Sequence, residues 1–406
     1  MTRRPTILFV CYGAGHVNML IPVIKHLQQH DNGYRLVVLG LTTAKFTLNS
    51  AGIESLGFLD FVDSCLDEKA LGYGRELTAN LPDGPVSRDE SVAYHGISFA
   101  EIVEDLGEEE AGRLYRELGR QSFCPIRFLQ RVMEQVKPDL LVSTNSPRAE
   151  KAAFFAAREM KIPSLCLVDL FGLREIEWIK TPGYATRICV LADQVRSAFI
   201  EAGIASERVV VTGNPVFDRL CDPDLPDRGR RLKKQKGWDG KKVLLWASQP
   251  EPSVHPFTGE AGDPELPRKI DQELETFGRD NPDWQLVIRF HPNEYPVKMS
   301  EIWEVSTQDD SLYELLALCD IIVTMSSTVG LEGYLLGKKV VQICTSIFSP
   351  DAPFAKLGMA SRVDDLSQLG SQILTARIPE LAGTREESAT ELIARQINSV
   401  LEEPLK

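Results

Sequence analysis

No two of the eight cysteines, at positions 11, 65, 124, 166, 189, 221, 319 and 344, are spaced C-x-x-C. That absence excludes a zinc ribbon and a dithiol redox motif. Cys11, Cys166, Cys189 and Cys344 sit inside apolar runs, where a free thiol is a small buried hydrophobe. Free thiols belong to a reducing compartment. Positive charge is also short: 45 Lys and Arg stand against 58 Asp and Glu, a net charge of −13. Phosphate backbones are bound by basic surfaces, so a general nucleic-acid binder is excluded. No stretch reaches the roughly 20 apolar residues of a membrane span. The opening "MTRRPTILFV" has too short an apolar run for a signal peptide. The expectation is a cytoplasmic protein with no nucleic-acid partner.

What is present is a repeated α/β rhythm. Apolar runs predict strands at Thr6–Cys11, Arg35–Leu41, Asp139–Thr144, Ser164–Asp169 and Arg187–Leu191. Helical spacing falls at Val17–His30, Ile97–Arg120, Ile126–Val136, Arg148–Met160 and Gln194–Ala202. Strands that are apolar throughout and separated by helices indicate a parallel sheet covered on both faces. The rhythm breaks at Pro215. The stretch "CDPDLPDRGRRLKKQKGWDGKK" is rich in Pro, Gly and charge and reads as a linker. A second series follows, with strands at Lys242–Ala247, Gln285–Phe290, Asp320–Met325 and Lys339–Thr345. Its helices are placed at Pro267–Phe277, Leu312–Leu318, Val329–Leu336 and Leu366–Thr375. The fold class is therefore α/β, with two Rossmann-like doubly wound domains expected to face each other across a cleft. The domains are drawn at 1–215 and 242–384, with a linker at 216–241 and a terminal helix in 385–406 that packs back on the first domain. The basic run from Arg228 to Lys242 reads first as a solvated face. Its alternative is a contact with anionic lipid headgroups or a phosphorylated acceptor, and hence peripheral membrane contact.

The first strand runs into "CYGAGHVNMLIPVIKHL". Gly13 and Gly15 permit positive φ and close approach of a ligand, and the helix behind them offers free N–H groups to an anion. The pattern is neither a P-loop nor G-x-G-x-x-G, since Asn18 stands where the third glycine would be. On spacing alone, a plain tight turn is the favoured explanation of the glycines. His16 is suited to act as a general base; the alternative is a residue that merely caps the helix.

This segment resembles the opening of GT-B glycosyltransferases. It is similar to the lipid II-forming N-acetylglucosaminyltransferase and to macrolide and plant natural-product glycosyltransferases. In several of those families the histidine deprotonates the acceptor hydroxyl, which makes His16 the implied base. Tyr12 departs from the lipid II enzyme, which has glycine there.

In the C-terminal half, "IIVTMSSTVGLEGYLLGKKVVQI" places Ser326, Ser327 and Thr328 between a strand and a helix. Hydroxyls there cap the helix or bind phosphate. Glu332 complements the helix dipole or accepts two ribose hydroxyls. The segment resembles the nucleotide-binding element of GT-B enzymes and of non-hydrolysing UDP-GlcNAc 2-epimerases, on Glu332, Gly337 and "KKVVQI". The resemblance implies phosphate binding by Ser326, Ser327 and Thr328 and ribose binding by Glu332. "VVVTGNPVFDRL" resembles the hinge segment of both families, on Gly213, Asn214 and Pro215. "LVIRFHPNE" resembles the His-Pro pair of bacterial capsule and lipopolysaccharide transferases and implies a phosphate contact for His291. Its alternative is a strand-ending turn. Asp351, in "IFSPDAPF", reads as a loop turn, or as a contact to sugar hydroxyls.

Within this resemblance a 2-epimerase is the rival. Its acid/base aspartate corresponds to Asn145 here, and an amide cannot carry a proton as a carboxylate does. A non-catalytic nucleotide-sugar binding protein is the other alternative. The reading is a metal-independent glycosyltransferase with no cofactor beyond its co-substrate, a nucleotide sugar with UDP favoured. The acceptor is a glycan, a lipid-linked compound or a small molecule. Asp222-x-Asp224 reads as a turn, not a metal site. The acceptor is expected against the polar stretch from Asp67 to Cys124, which reads as irregular before its helix. His95 is read there as a surface loop histidine, with a second base as the alternative.

Overall fold

Thr6–Cys11 is buried along its whole length, the pattern of a strand covered on both faces. This strand lies inside the first of two parallel sheets. The computed structural model describes residues 3–30, 33–82, 84–256, 258–307, 309–379 and 387–403. The chain divides into two compact units: unit 1 is Met1–Val216 with Glu387–Lys406, and unit 2 is Phe217–Glu386.

Unit 1 runs β1 (Thr6–Cys11), α1 (Ala14–Gln29), β2 (Arg35–Gly40), α2 (Thr43–Ser50), α3 (Glu68–Thr78), α4 (Arg88–Leu106), α5 (Glu108–Leu118), α6 (Ile126–Val136), β3 (Leu140–Thr144), α7 (Ala149–Glu159), β4 (Ser164–Leu167), α8 (Ile176–Ile179), β5 (Arg187–Val190), α9 (Asp193–Glu201) and β6 (Val209–Val211). Its sheet has the order β2-β1-β3-β4-β5-β6, all parallel. The connection reverses direction between β1 and β3, and such a switch point opens a crevice at the carboxyl ends of the strands.

Unit 2 runs α10 (Leu225–Gln235), β7 (Lys242–Ala247), α11 (Leu266–Asp280), β8 (Trp284–Arg289), β9 (Trp303–Ser306), α12 (Leu312–Leu318), β10 (Ile321–Thr324), α13 (Thr328–Leu335), β11 (Lys339–Ile343), β12 (Ser361–Val363) and α14 (Leu369–Thr375). The order β12-β11-β10-β7-β8-β9 is again parallel, with its switch point between β7 and β10. Each unit is thus a Rossmann-like doubly wound domain.

The last helix, α15 (Ala389–Glu402), returns to unit 1. Ser388 and Glu391 close a reciprocal capping box at its start. Ile393, Ala394, Ile397 and Val400 enter the same core as Val23, Ile24 and Leu27 of α1. Burying each of the larger side chains contributes about 1.5–3 kcal/mol, enough to hold the helix in place. Residues 384–386 and 404–406, which the sequence reading divides between the second domain and this helix, lie outside the described residues.

Four expectations are corrected. The expected linker, 216–241, carries α10. Leu225 and Gly229 are buried, Leu232 packs with Trp238, and Pro226 stands in the first turn. The charges of this helix hide its narrow apolar stripe. Several charges of the basic run are also paired: Arg228 with Asp222 at 2.8 Å and Glu314 at 3.4 Å, Lys236 with Glu304 at 2.7 Å, and Lys242 with Asp283 at 3.5 Å. Where irregular chain was expected, from Asp67 up to the helix placed at Ile97, stand α3 and the first half of α4. The helix expected over 97–120 is two helices, α4 and α5, which meet at Gly107. Helix α1 begins at Ala14, so Gly15 and His16 belong to its first turn and not to a separate loop. Among the described residues, no helix is long and apolar enough to cross a membrane.

Candidate functional site

In unit 1 the carboxyl ends of β1 and β3 carry a hydrogen-bonded chain. Gly13, between β1 and α1, has φ 156° and ψ −171°, a region that only glycine occupies freely. A Cβ there would also meet Thr43 Oγ1 at 2.5 Å. The turn delivers His16 to the first turn of α1, with Nδ1 2.8 Å from Thr144 Oγ1 at the end of β3. Thr144 in turn bonds Glu150 Oε2 on α7. Glu150 is fully buried and accepts the backbone N–H groups of Tyr12 at 2.7 Å and Ser146 at 3.2 Å. Burial lifts its carboxyl above the usual range, and His16, Thr144 and the two backbone N–H groups pull it back. With Glu150 ionised, the single Thr144 proton goes to the carboxylate, so Thr144 accepts from His16 Nδ1–H. The unprotonated nitrogen of His16 is then Nε2.

His16 lines a cavity of about 490 Å³ in unit 1. Tyr12, Thr42, Tyr94, His95, Arg120 and Arg148 form other parts of its wall. The rings of Tyr12 and Tyr94 lie 5.9 Å apart, and the Arg148 guanidinium sits 4.4 Å above the Tyr12 ring. His95 is a buried residue of α4, not a surface loop histidine. Its Nδ1 donates to Ser91 O at 2.8 Å, and burial pushes its pKa down. The sequence stretch assigned to the acceptor therefore reaches the same cavity as His16, as a helix.

Beside this chain lies a second set of bonds. Asn145 Oδ1 accepts the Asp169 N–H at 2.7 Å, and Asn214 Nδ2 donates to Asp169 Oδ1 at 3.1 Å. The other Asp169 oxygen lies 3.8 Å from the position a Cβ would take on Gly15. The expected phosphate at Gly15 thus meets a carboxylate, which repels it. Gly213, Asn214 and Pro215 stand at the chain boundary of the units. Asn214 spends its side chain on Asp169 and on Val216 N–H, at 3.0 Å.

Unit 2 has a cavity of about 550 Å³ at its own switch point. The ends of β7, β8 and β10 supply Ser248, Gln249, Arg289, His291, Ser326, Ser327 and Thr328. Gln249 holds Ser326 from both sides, donating to Oγ at 2.7 Å and accepting its N–H at 3.3 Å. Ser327 caps α13, accepting from Val329 N–H at 3.3 Å, while its own N–H goes to Thr324 Oγ1 at 3.1 Å. Among the described residues, the hydroxyls of Ser327 and Thr328 donate no hydrogen bond to another side chain or to the backbone. His291 Nδ1 accepts the Asn293 N–H at 3.1 Å, so its proton sits on Nε2 as a donor.

Glu332 is buried on α13, one turn beyond the wall residue Thr328, and is not itself a wall residue. Its Oε2 has no hydrogen-bond partner among the described residues. Burial pushes its pKa up to about 7, with Arg289 pulling it back. Asp351 is likewise not part of the wall. Its carboxylate sits 3.1 Å from Nε2 of His255, a buried histidine whose Nδ1 accepts Thr258 N–H. Asp222 Oδ1 accepts the Asp224 N–H at 2.9 Å, an Asx turn, and its Oδ2 pairs with Arg228. Among the described residues, no group of three His, Cys, Asp or Glu could hold a metal ion.

No protein-family model matches the chain. Among curated proteins it is similar to a processive diacylglycerol beta-glucosyltransferase of Bacillus cytotoxicus, 24% identical over 257 residues, which are 60% of this chain and 53% of the relative. The match therefore spans about half the length of that relative. Among solved structures it is similar to the UDP-GlcNAc 2-epimerase of Neisseria meningitidis bound to UDP-GlcNAc (TM-score 0.53, 17% identity, 97% of this chain and 100% of that one). The UDP-GlcNAc 2-epimerase of Methanocaldococcus jannaschii gives a TM-score of 0.54 at 12% identity, covering 97% and 99%. A glycosyltransferase of Rickettsia africae gives 0.52 at 12% identity, covering both chains fully at 100%. The chain has the GT-B fold, which it shares with UDP-GlcNAc 2-epimerases and with glycosyltransferases.

Proposed function

We propose that this chain is a glycosyltransferase that moves a sugar from a nucleotide donor, with UDP favoured, to an acceptor hydroxyl. The observation that carries the reading is the chain His16–Thr144–Glu150, which fixes one imidazole nitrogen and leaves Nε2 as a base on a cavity wall. In the reaction the acceptor oxygen forms a bond to the anomeric carbon of the sugar. The bond from that carbon to the phosphate oxygen breaks, and its electron pair leaves with the nucleotide. The acceptor proton passes to His16 Nε2. General-base assistance of this kind contributes about 10²–10⁴ in rate.

Unit 2 supplies the donor site in this reading. The hydroxyls of Ser327 and Thr328, the Nε2–H of His291 and the charge of Arg289 stabilise the departing phosphate. Ser326 acts through its position, since Gln249 already engages it. Glu332, with an unpartnered oxygen, is the proposed acceptor of ribose hydroxyl bonds. Gly13 lets a ligand approach the main chain closely, next to the base.

The 2-epimerase reading has one observation in its favour. Glu175 lies close enough to feel both His16 and Asp169, and burial lifts its carboxyl. Against it, Asn145 spends its side-chain oxygen on a backbone N–H. Thermal denaturation with UDP, CDP, CMP, GDP and dTDP tests the donor site, because a ligand that binds only the folded state raises the midpoint. A selective rise, lost in Glu332→Ala, supports the reading. No rise with any of them at millimolar concentration overturns it. Isomerisation of UDP-GlcNAc with no acceptor present supports the epimerase instead.

A further inference from the structure

The unit 1 cavity carries positive charge that the protein does not neutralise. Some arginines of this unit are paired, such as Arg127 with Asp105 at 2.9 Å and Arg131 with Asp67 at 2.8 Å. Arg120 and Arg148 both line the cavity, and neither has an ion-pair partner among the described residues. Arg148 Nε is buried with no hydrogen-bond partner among those residues. A buried guanidinium N–H without a partner costs free energy, and an anion that accepts from it removes that cost. The aromatic contact with Tyr12 holds the Arg148 group in one orientation but satisfies none of its N–H donors.

The negative groups nearby are already engaged. Glu90 also lines the cavity, and its two oxygens accept the N–H groups of Phe58 at 2.6 Å and Leu59 at 3.1 Å. Glu150 lies behind the wall, engaged by Thr144, Tyr12 and Ser146. The remaining titratable groups on the wall are His16, His95, Tyr12 and Tyr94. His95 is held toward its neutral form by burial, and burial raises the Tyr94 hydroxyl. Two cations thus face a cavity whose one wall carboxylate, Glu90, is bound to the backbone, next to a base.

We propose that this cavity binds a phosphorylated hydroxyl compound, with Arg120 and Arg148 contacting the phosphate and a hydroxyl presented to His16. Two guanidiniums match a phosphate dianion in charge and in fork geometry. The inference rests on the glycosyl-transfer reading only in making that compound the acceptor. The phosphate belongs either to a soluble polyol or sugar phosphate or to a lipid headgroup.

Isothermal titration of the full chain with glycerol phosphate, inorganic phosphate and glycerol tests the site. Sedimentation with phosphatidylglycerol vesicles and with phosphatidylcholine–diacylglycerol vesicles distinguishes the sources. Binding of the phosphates but not of glycerol is expected, and it identifies a soluble compound. Binding only of the phosphatidylglycerol vesicles identifies a headgroup. In either case Arg120→Gln and Arg148→Gln each weaken binding by about 10- to 100-fold, the loss of one charged hydrogen-bonding group. Binding of neither phosphate source, or equal binding of the neutral ones, overturns the inference on the wild-type chain alone. The UDP response separates the two readings. If UDP stabilises the protein and no phosphate compound binds, this inference falls and the donor site stands. If UDP has no effect and phosphate binds through the arginines, the reverse holds.

Discussion

Thr144 Oγ1 lies 2.8 Å from Nδ1 of His16, and among the described residues it is the only hydrogen-bonded link between that imidazole and the buried Glu150. The arrangement makes Thr144 a positioning residue: it touches the base and not the reacting atoms. Thr144→Val keeps the size of the side chain and removes the bond. In a glycosyl-transfer assay kcat is expected to fall roughly 10- to 100-fold, part of the full general-base effect. KM for the donor should not move, because the donor groups belong to unit 2. Thr144→Ser restores the hydroxyl and should recover most of the rate. An unchanged kcat in Thr144→Val removes the relay from the mechanism.

Glu332 makes stability depend on pH. Its folded pKa is about 7, above the ordinary 4.5, because burial disfavours the ionised form. The neutral carboxyl is therefore the form the fold prefers. Its contribution is fully present below pH 4.5 and is lost as pH rises through about 7. The loss is about 3 kcal/mol. Glu332→Gln stays neutral, so its stability relative to wild type should rise by about that amount from pH 4.5 to pH 8. Urea denaturation at the two pH values measures it. A constant difference between the two chains would show that Glu332 is not a buried, unpartnered carboxyl.

Gly13→Ala should cost about 1–3 kcal/mol, since the backbone there suits only glycine. Part of that cost is the clash of the new Cβ with Thr43 Oγ1, at 2.5 Å. Thr43→Ala in the same chain should recover the steric part and leave the backbone part. Denaturant midpoints of the two single variants and the double variant measure the coupling. Additivity would place the whole cost in the backbone.

Ile397→Ala in α15 tests the return of the chain end to unit 1. Ile397 is fully buried in the core that contains β1 and α1. The substitution should cost about 2–5 kcal/mol. Calorimetry should show the transition of unit 1 shifted down and that of unit 2 unmoved. A shift in neither places α15 outside the core of unit 1.

Much of the fold was legible because local signals and packing agree. Thr6–Cys11, Ile126–Val136, Lys242–Ala247 and Leu312–Leu318 have the bounds that apolar periodicity predicts. Strands buried on both faces announce themselves as apolar runs. The strands missed, β6, β9 and β12, have three or four residues and lie toward or at sheet edges. The first half of α4 was missed for a different reason. It is buried around much of its circumference, so its polar residues break the helical period. Gly74 and Gly96 bring α3 and α4 so close that a Cβ on either would collide with the opposite backbone. Nothing within either helix reveals that contact.

The sequence alone determined two Rossmann-like series, the glycine turn with His16, and the hydroxyl run before α13, since these depend on residues adjacent in the chain. It could not mark Glu150, one carboxylate among 58 in the chain, nor Arg120, one charge among many at the end of an expected helix. Pairing of β1 with β3 brings Glu150 to a histidine more than a hundred residues away. The packing of α4 closes the cavity over both. Which charges are paired and which are left for a ligand was decided there, because burial and partners are properties of the folded neighbourhood and not of sequence spacing.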